Sequence, residues 1–182
     1  MNKRTPAYLV LKSAVLFLSL LCFYPLSATN PQKKEMKELN VKKVSLANVA
    51  VENVPALLDK EKVDFQSINT VNWKAFPYQP EVQFRIAHTN DAILIHYKVK
   101  EASVRAVATG DNGAVWEDAC VEFFSIPAGD GIYYNVECNC VGTLLIGAGG
   151  GRSNREHAPQ EVMDKVQRWS SLGRESFEER VG

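Results

Sequence analysis

The chain has 182 residues, of which 46 % are hydrophobic, 9 % aromatic and 23 % charged. This composition is typical of one globular domain and excludes a disordered, collagen-like or multi-pass membrane protein. The 21 basic and 21 acidic residues cancel in number, but the basic excess lies near the N-terminus and leaves the rest acidic. An acidic body lacks the electrostatic footprint for a phosphate backbone, so we expect no nucleic-acid partner.

Residues 1–28 have the features of a signal peptide: basic residues, then an apolar run over 14–23, then a small residue suited to cleavage. The apolar run is too short to cross a bilayer comfortably. We therefore expect an exported protein (periplasmic, outer-membrane-associated or extracellular) with no stable membrane span after cleavage. An uncleaved anchor and lipidation at Cys22 are the alternatives. Residues 29–43 are rich in lysine and predict a solvated lead-in to one domain over residues 44–182.

The first half of this domain contains two neighbouring segments in which apolar and polar residues alternate strongly. β-branched residues over 44–54 predict a first strand, and residues 57–68 predict a short helix or a turn. Apolar residues then alternate with polar ones over 82–87 and again over 93–99. Two such runs separated by turn-forming residues predict a β-hairpin.

The second half predicts another hairpin, with an outgoing strand over 120–126 and a return strand over 133–145. The connection over 127–131 contains residues that bend the backbone. A short helix is expected over 161–168, and residues 169–182 are polar with no strand that would close a sheet. Several short strands with little helix predict a mainly β protein with an antiparallel β-sandwich fold.

The period-two geometry of the second hairpin separates polar from apolar side chains. The apolar set, predicted to be core, consists of Val121, Phe123, Val136, Cys138 and Cys140. The polar set on the opposite face consists of Glu122, Asn135, Glu137 and Asn139. Carboxylates and amides suit sugar hydroxyls, although an ordinary solvated sheet face is the alternative. The two glutamates also permit a second hypothesis, a glycoside hydrolase with Glu122 and Glu137 as acid and base.

Two loops flank these strands. Residues 109–118 form a turn-rich acidic loop, in which Asp111, Glu117 and Asp118 could hold Ca²⁺ through oxygen ligands; a solvated loop is the alternative. The glycine-rich segment 147–151 lacks the ending of a phosphate-binding loop and predicts a flexible loop that carries arginines.

The run over residues 115–124 resembles family 9 carbohydrate-binding modules. Its signature is Trp116 followed by an acidic pair and then a Val-Glu-hydrophobic strand over 121–124. Segments 133–140 and 168–173 resemble stand-alone secreted members from Bacteroidetes. The resemblance implies a jelly-roll or DOMON-like sandwich that binds sugar without catalysis in polysaccharide catabolism.

The resemblance also implies roles for single residues. Trp116 matches the first of two tryptophans that clamp a sugar, Glu122 matches the acid, and the arginine maps to Arg152 or Arg155. The second clamp tryptophan lies near the C-terminus of the family, and Trp169 is not at that place. The resemblance therefore implies a C-terminally truncated module, which would self-associate through exposed strand edges. Alternatively, another aromatic residue of this chain supplies the second face.

Overall fold

The computed structural model describes residues 38–45 and 49–181, so the predicted signal peptide and most of the lead-in lie outside the described residues. Every element below belongs to the compact unit Leu39–Gly182. Within the described ranges, no helix has the length and apolar character needed to cross a membrane.

The described residues form ten strands and two α-helices. The strands are β1 (Lys42–Lys43), β2 (Gln66–Ile68), β3 (Glu81–His88), β4 (Ile93–Lys100), β5 (Ser103–Ala106), β6 (Cys120–Ser125), β7 (Tyr133–Asn139), β8 (Leu144–Gly149), β9 (Glu156–His157) and β10 (Phe177–Val181). The helices are α1 (Val54–Lys60) and α2 (Gln160–Met163), with 3-10 turns at Val51–Asn53 and Val115–Glu117. The predicted mainly β, antiparallel β-sandwich is confirmed.

The strands form three hydrogen-bonded sheets. In the first, β3 pairs antiparallel with β2 and β4 and parallel with β1. In the second, β6, β7, β8 and β9 follow one another in antiparallel order. The third is the antiparallel pair of β5 and β10. The first two sheets are in contact, since the Tyr97 hydroxyl on β4 donates to the carbonyl oxygen of Glu122 on β6 over 3.3 Å.

The hairpin of β3 and β4 is confirmed, but its buried face holds a charged residue. Arg85 is almost fully buried and donates to the Asp59 carboxylate over 2.6 Å and to the Pro55 carbonyl over 2.8 Å. Its guanidinium also lies 4.4 Å from the centre of the Phe65 ring. Helix α1 supplies these acceptors while its Leu58 packs into the core, so it covers this face of the sheet.

The predicted strand over 44–54 is wrong. The chain forms only the two-residue β1 before Val44, residues 46–48 lie outside the described residues, and a 3-10 turn leads into α1. Pro55 stands at the start of this helix, where its missing N–H and fixed φ are favourable. Val54 and Leu58 are one helical turn apart and are buried together, which favours the helix over a strand.

The second predicted hairpin is confirmed for β6 and β7, but its return strand is shorter than expected. The chain turns over residues 140–143, where Gly142 has φ +83°, and comes back as β8. Strand β8 continues to Gly149, so most of the glycine-rich segment is strand and not loop. Val136 and Cys138 pack against the buried cluster of Leu144, Ile146 and Met163.

The last part of the chain also departs from the prediction. The helix expected over 161–168 is limited to α2, which ends at Met163. Residues 177–181, expected to be irregular, form β10 because β5 offers an unpaired edge for antiparallel pairing. The polar character of β10 agrees with its exposed position at the edge of a two-stranded sheet.

Candidate functional site

The polar side chains of β6 and β7 lie on one face of their sheet, as the alternation predicts. Glu122 stands directly opposite Glu137, and Phe124 stands opposite Asn135. We call the face formed by Glu122, Asn135, Glu137 and Asn139 the polar face. Asn135 and Glu137 are only 1 % and 5 % exposed, and Asn139 is equally buried. The alternative of an ordinary solvated sheet surface is therefore wrong for these three residues.

Part of the polar face is left with unused hydrogen-bonding capacity. The amide of Asn135 donates to Oε1 of Glu137 over 2.7 Å. Within the described part of the chain, Oδ1 of Asn135, Oε2 of Glu137 and Nη1 of Arg155 are buried and have no hydrogen-bond partner. Buried polar atoms without a partner cost roughly 1–3 kcal/mol each, so each needs a reason. Two bound hydroxyls could donate to the two acceptors, and one of them could also accept from Arg155.

Arg155 reaches the polar face above a glycine of β8. Gly147 stands opposite Asn135, and a Cβ built on it would lie 3.5 Å from Cβ of Arg155. The Arg155 guanidinium lies 5.7 Å from the centre of the Tyr133 ring on the same face. Arg152 is exposed. Of the two arginines, Arg155 is thus the one whose side chain rests on the sheet.

The Glu137 carboxylate affects Glu122 across the strands. Desolvation on the sheet and the nearby Glu137 carboxylate raise the pKa of Glu122, and the positive charges of Arg155 and Arg152 act in the opposite direction. Like charges directly opposite each other destabilise a sheet, so the arginines offset this repulsion. The result is a pair of carboxylates with two guanidinium groups close enough to influence them.

The side chains of Asn139 and Asp118 accept hydrogen bonds from backbone N–H groups. Asn139 donates to Asp118 over 2.9 Å and accepts the backbone N–H groups of Val141 and Thr143. The Asp118 carboxylate also accepts the N–H groups of Val107 and Ala108, at 2.9 and 3.0 Å. Burial acts to raise the pKa of Asp118, but these hydrogen bonds outweigh it and hold the pKa below the usual value.

Asp111 is engaged in the same way. It accepts two hydrogen bonds from the Arg168 guanidinium, at 2.9 and 2.6 Å, and one from the backbone N–H of Leu144. In the described ranges no group of three or more His, Cys, Asp or Glu is arranged to hold a metal ion. The predicted calcium ligand set of Asp111, Glu117 and Asp118 is therefore not formed, because two of its carboxylates are occupied by backbone and arginine donors.

This bonding turns the acidic loop into a rigid support for Trp116. Val115 is fully buried, the 3-10 turn around it contacts β6 and β7, and Asp111 and Asp118 hold the loop on either side. Trp116 itself is 56 % exposed. Since Asp118 bonds to Asn139, the turn that carries Trp116 is held at the Asn139 end of β7. An exposed aromatic side chain on an anchored turn is available for stacking, and the clamp role that the resemblance implies for Trp116 stays a prediction.

Comparison with known proteins fits this arrangement. Residues 52–182 match the family described as carbohydrate-binding family 9. The chain belongs to this family. It is similar to the crystal structure of a candidate carbohydrate-binding protein from Bacteroides uniformis ATCC 8492, with 62 % sequence identity and a TM-score of 0.76. The match covers 79 % of this chain and 66 % of that one, so the chain spans just under two thirds of its relative. No curated protein matches significantly.

Two aromatic residues of this family 9 domain were absent from the predicted site. Tyr133 shares the face of Asn135, and Phe124 shares the face of Glu122. The same alternation that assigns the polar residues would have placed both aromatic rings there. The predicted site lacks them because it was assembled from hydrogen-bonding side chains and Trp116.

Proposed function

We propose that this chain is a non-catalytic sugar-binding module of an exported protein that takes part in polysaccharide breakdown. The observation that carries the proposal is an exposed Trp116, on a turn that contacts β6 and β7, together with unused hydrogen-bonding atoms on the polar face of these strands. Membership of a carbohydrate-binding family and the B. uniformis relative support it. The signal-like N-terminal segment supports export.

The chemistry of a sugar suits both parts of the site. A pyranose ring presents C–H groups on one face, which pack on an indole, and hydroxyls around its rim, which need donors and acceptors. Trp116 offers the apolar platform. Further along the face, Glu137 Oε2 and Asn135 Oδ1 accept from hydroxyls of the same glycan, and Arg155 Nη1 donates to one. Glu122, exposed and opposite Glu137, provides a further acceptor at the rim.

Substitution of Trp116 tests the proposal against a closely matched control. Trp169 is 54 % exposed, and its neighbours Arg168 and Ser170 anchor it to Asp111 and the Cys140 carbonyl. We expect Trp116→Ala to abolish retention on a printed glycan array and Trp169→Ala to bind like the wild type. Both variants should melt within a few degrees of the wild type, because neither indole is buried.

Three outcomes contradict this assignment. A loss of roughly 3–5 kcal/mol in unfolding free energy for Trp116→Ala would identify a core residue. Equal binding by both variants would remove Trp116 from the site. Release of reducing ends from a bound polysaccharide, abolished by Glu122→Gln, would replace binding with hydrolysis, since Glu122 and Glu137 are the paired carboxylates that such an enzyme needs.

A further inference from the structure

A second aromatic platform lies on the polar face. The rings of Phe124 and Tyr133 have centroids 6.1 Å apart and planes inclined by 37°. Phe124 is 53 % exposed although it stands directly opposite the buried Asn135. An exposed phenylalanine beside a buried amide with a free acceptor combines an apolar surface and a polar group at one point of the sheet.

The two platforms stand at opposite ends of the polar face. Trp116 is carried near Asn139, which stands opposite Cys120 at the first residue of β6. Phe124 is four residues further along that strand, which corresponds to about 13 Å at 3.2–3.4 Å per residue. Glu122 and Glu137 lie between the two ends. The face therefore presents aromatic, acidic and aromatic surfaces in order along one strand direction.

Arg155 is associated with the Phe124 end. Its guanidinium lies over the Tyr133 ring, and its side chain runs above Gly147, which stands opposite Asn135. Asn135 Oδ1 and Arg155 Nη1 are thus a free acceptor and a free donor next to the aromatic pair, within the described residues. This is the combination that a sugar residue requires, and it lies apart from the end that carries Trp116.

We propose that Phe124 and Tyr133 form a second sugar subsite, so that the polar face binds an oligosaccharide segment with one sugar residue at each aromatic end. The inference rests on the proposed function, because Trp116 supplies the other end. It assigns Phe124 the recognition of a further sugar residue in the same glycan.

The test uses the full chain and compares ligand lengths. The probes are the free monosaccharide, disaccharide and tetrasaccharide of the glycan that binds best on a printed array, titrated by calorimetry. We expect the wild type to bind the tetrasaccharide at least tenfold more tightly than the monosaccharide. Phe124→Ala should remove this gain and leave the monosaccharide affinity unchanged, whereas Phe124→Tyr should keep the gain. The control is Tyr134→Ala, which removes an exposed aromatic ring from the opposite face of β7.

The outcomes separate the two proposals. If the wild type binds the tetrasaccharide no better than the monosaccharide, the second subsite does not exist and the proposed function stands. If Tyr134→Ala loses the gain as Phe124→Ala does, the effect comes from the sheet as a whole and the inference is wrong. If no sugar of any length binds to the wild type, the proposed function itself fails.

Discussion

Gly149 is the residue on which the position of Arg155 depends most directly. A Cβ built on Gly149 would lie 2.9 Å from Cα of Arg155 and closer still to the carbonyl oxygen of Asn154. Carbon atoms in favourable contact are about 3.5–4.0 Å apart. Both obstructing atoms belong to the backbone and cannot rotate out of the way. The substitution Gly149→Ala must therefore move the backbone at Arg155, by up to about 1 Å on these distances.

A shift of this size has a calculable effect on binding. Lengthening a hydrogen bond of about 2.9 Å by 1 Å breaks it. A hydrogen bond to a charged group contributes about 1.5–3 kcal/mol. Loss of the Arg155 contact should therefore weaken sugar binding about 10- to 150-fold. Overpacking costs about 1–3 kcal/mol of folding stability, which a domain of this size tolerates.

The neighbouring glycine provides the control. A Cβ on Gly150 meets no described atom within 4 Å, so Gly150→Ala should bind sugar like the wild type. Calorimetric titration with the sugar that binds best on the array should give Gly149→Ala and Arg155→Ala similar affinities. The double variant should bind no more weakly than Arg155→Ala. If Gly149→Ala lowers the melting temperature but keeps full affinity, the placement of Arg155 does not determine binding.

Two further predictions concern stability. Gly142→Ala and Gly131→Ala both force alanine into left-handed backbone, at φ +83° and +80°, for about 1–2 kcal/mol each. At Gly142 the added methyl group also displaces the Arg174 guanidinium from two carbonyl oxygens. Urea unfolding should therefore show that Gly142→Ala lowers the free energy of unfolding by about 1.5–3 kcal/mol more than Gly131→Ala does. Equal losses for the two variants would mean that Arg174 adjusts freely. Burial and neighbouring positive charge lower the pKa of His96 in the folded protein from its usual value of 6.5. As the pH decreases below 6.5, the unfolded state therefore binds the proton before the folded state does, and the free energy of unfolding should decrease. His96→Asn, which keeps an acceptor for Arg85 and cannot titrate, should flatten this part of the stability–pH profile; an unchanged slope would contradict it.

Alternation along the chain was sufficient to predict the strands that form the site. Because side chains on a strand point to opposite faces in turn, the pattern over 120–126 and 133–139 fixed which residues are neighbours on the sheet. The cross-strand pair of Glu122 and Glu137 follows from that pattern and the turn between the strands. Local geometry decides these features, so sequence alone reveals them.

The alternation of polar and apolar residues does not show which face of a sheet is covered by another part of the chain. Asn135 and Glu137 read as surface residues, yet both are buried. The cover depends on contacts between residues far apart in sequence, such as Arg155 lying over Gly147. For the same reason, Asp111 and Asp118 were open to interpretation as cation ligands until the structure showed their arginine and backbone donors.

The glycines of β8 connect the fold to the site. Gly147 and Gly149 stand opposite Asn135 and Tyr133, on the face to which Arg155 belongs. A Cβ on Gly149 would collide with the backbone of the returning chain, whereas a Cβ on Gly147 would make ordinary contact with the Arg155 side chain. Because glycine leaves this space open, the chain after β8 lies close against the sheet and brings a guanidinium beside a buried amide. The segment that composition alone identifies as a flexible loop is thus what places a charged donor on the polar face, and the proposed sugar binding depends on the absence of a side chain at Gly149.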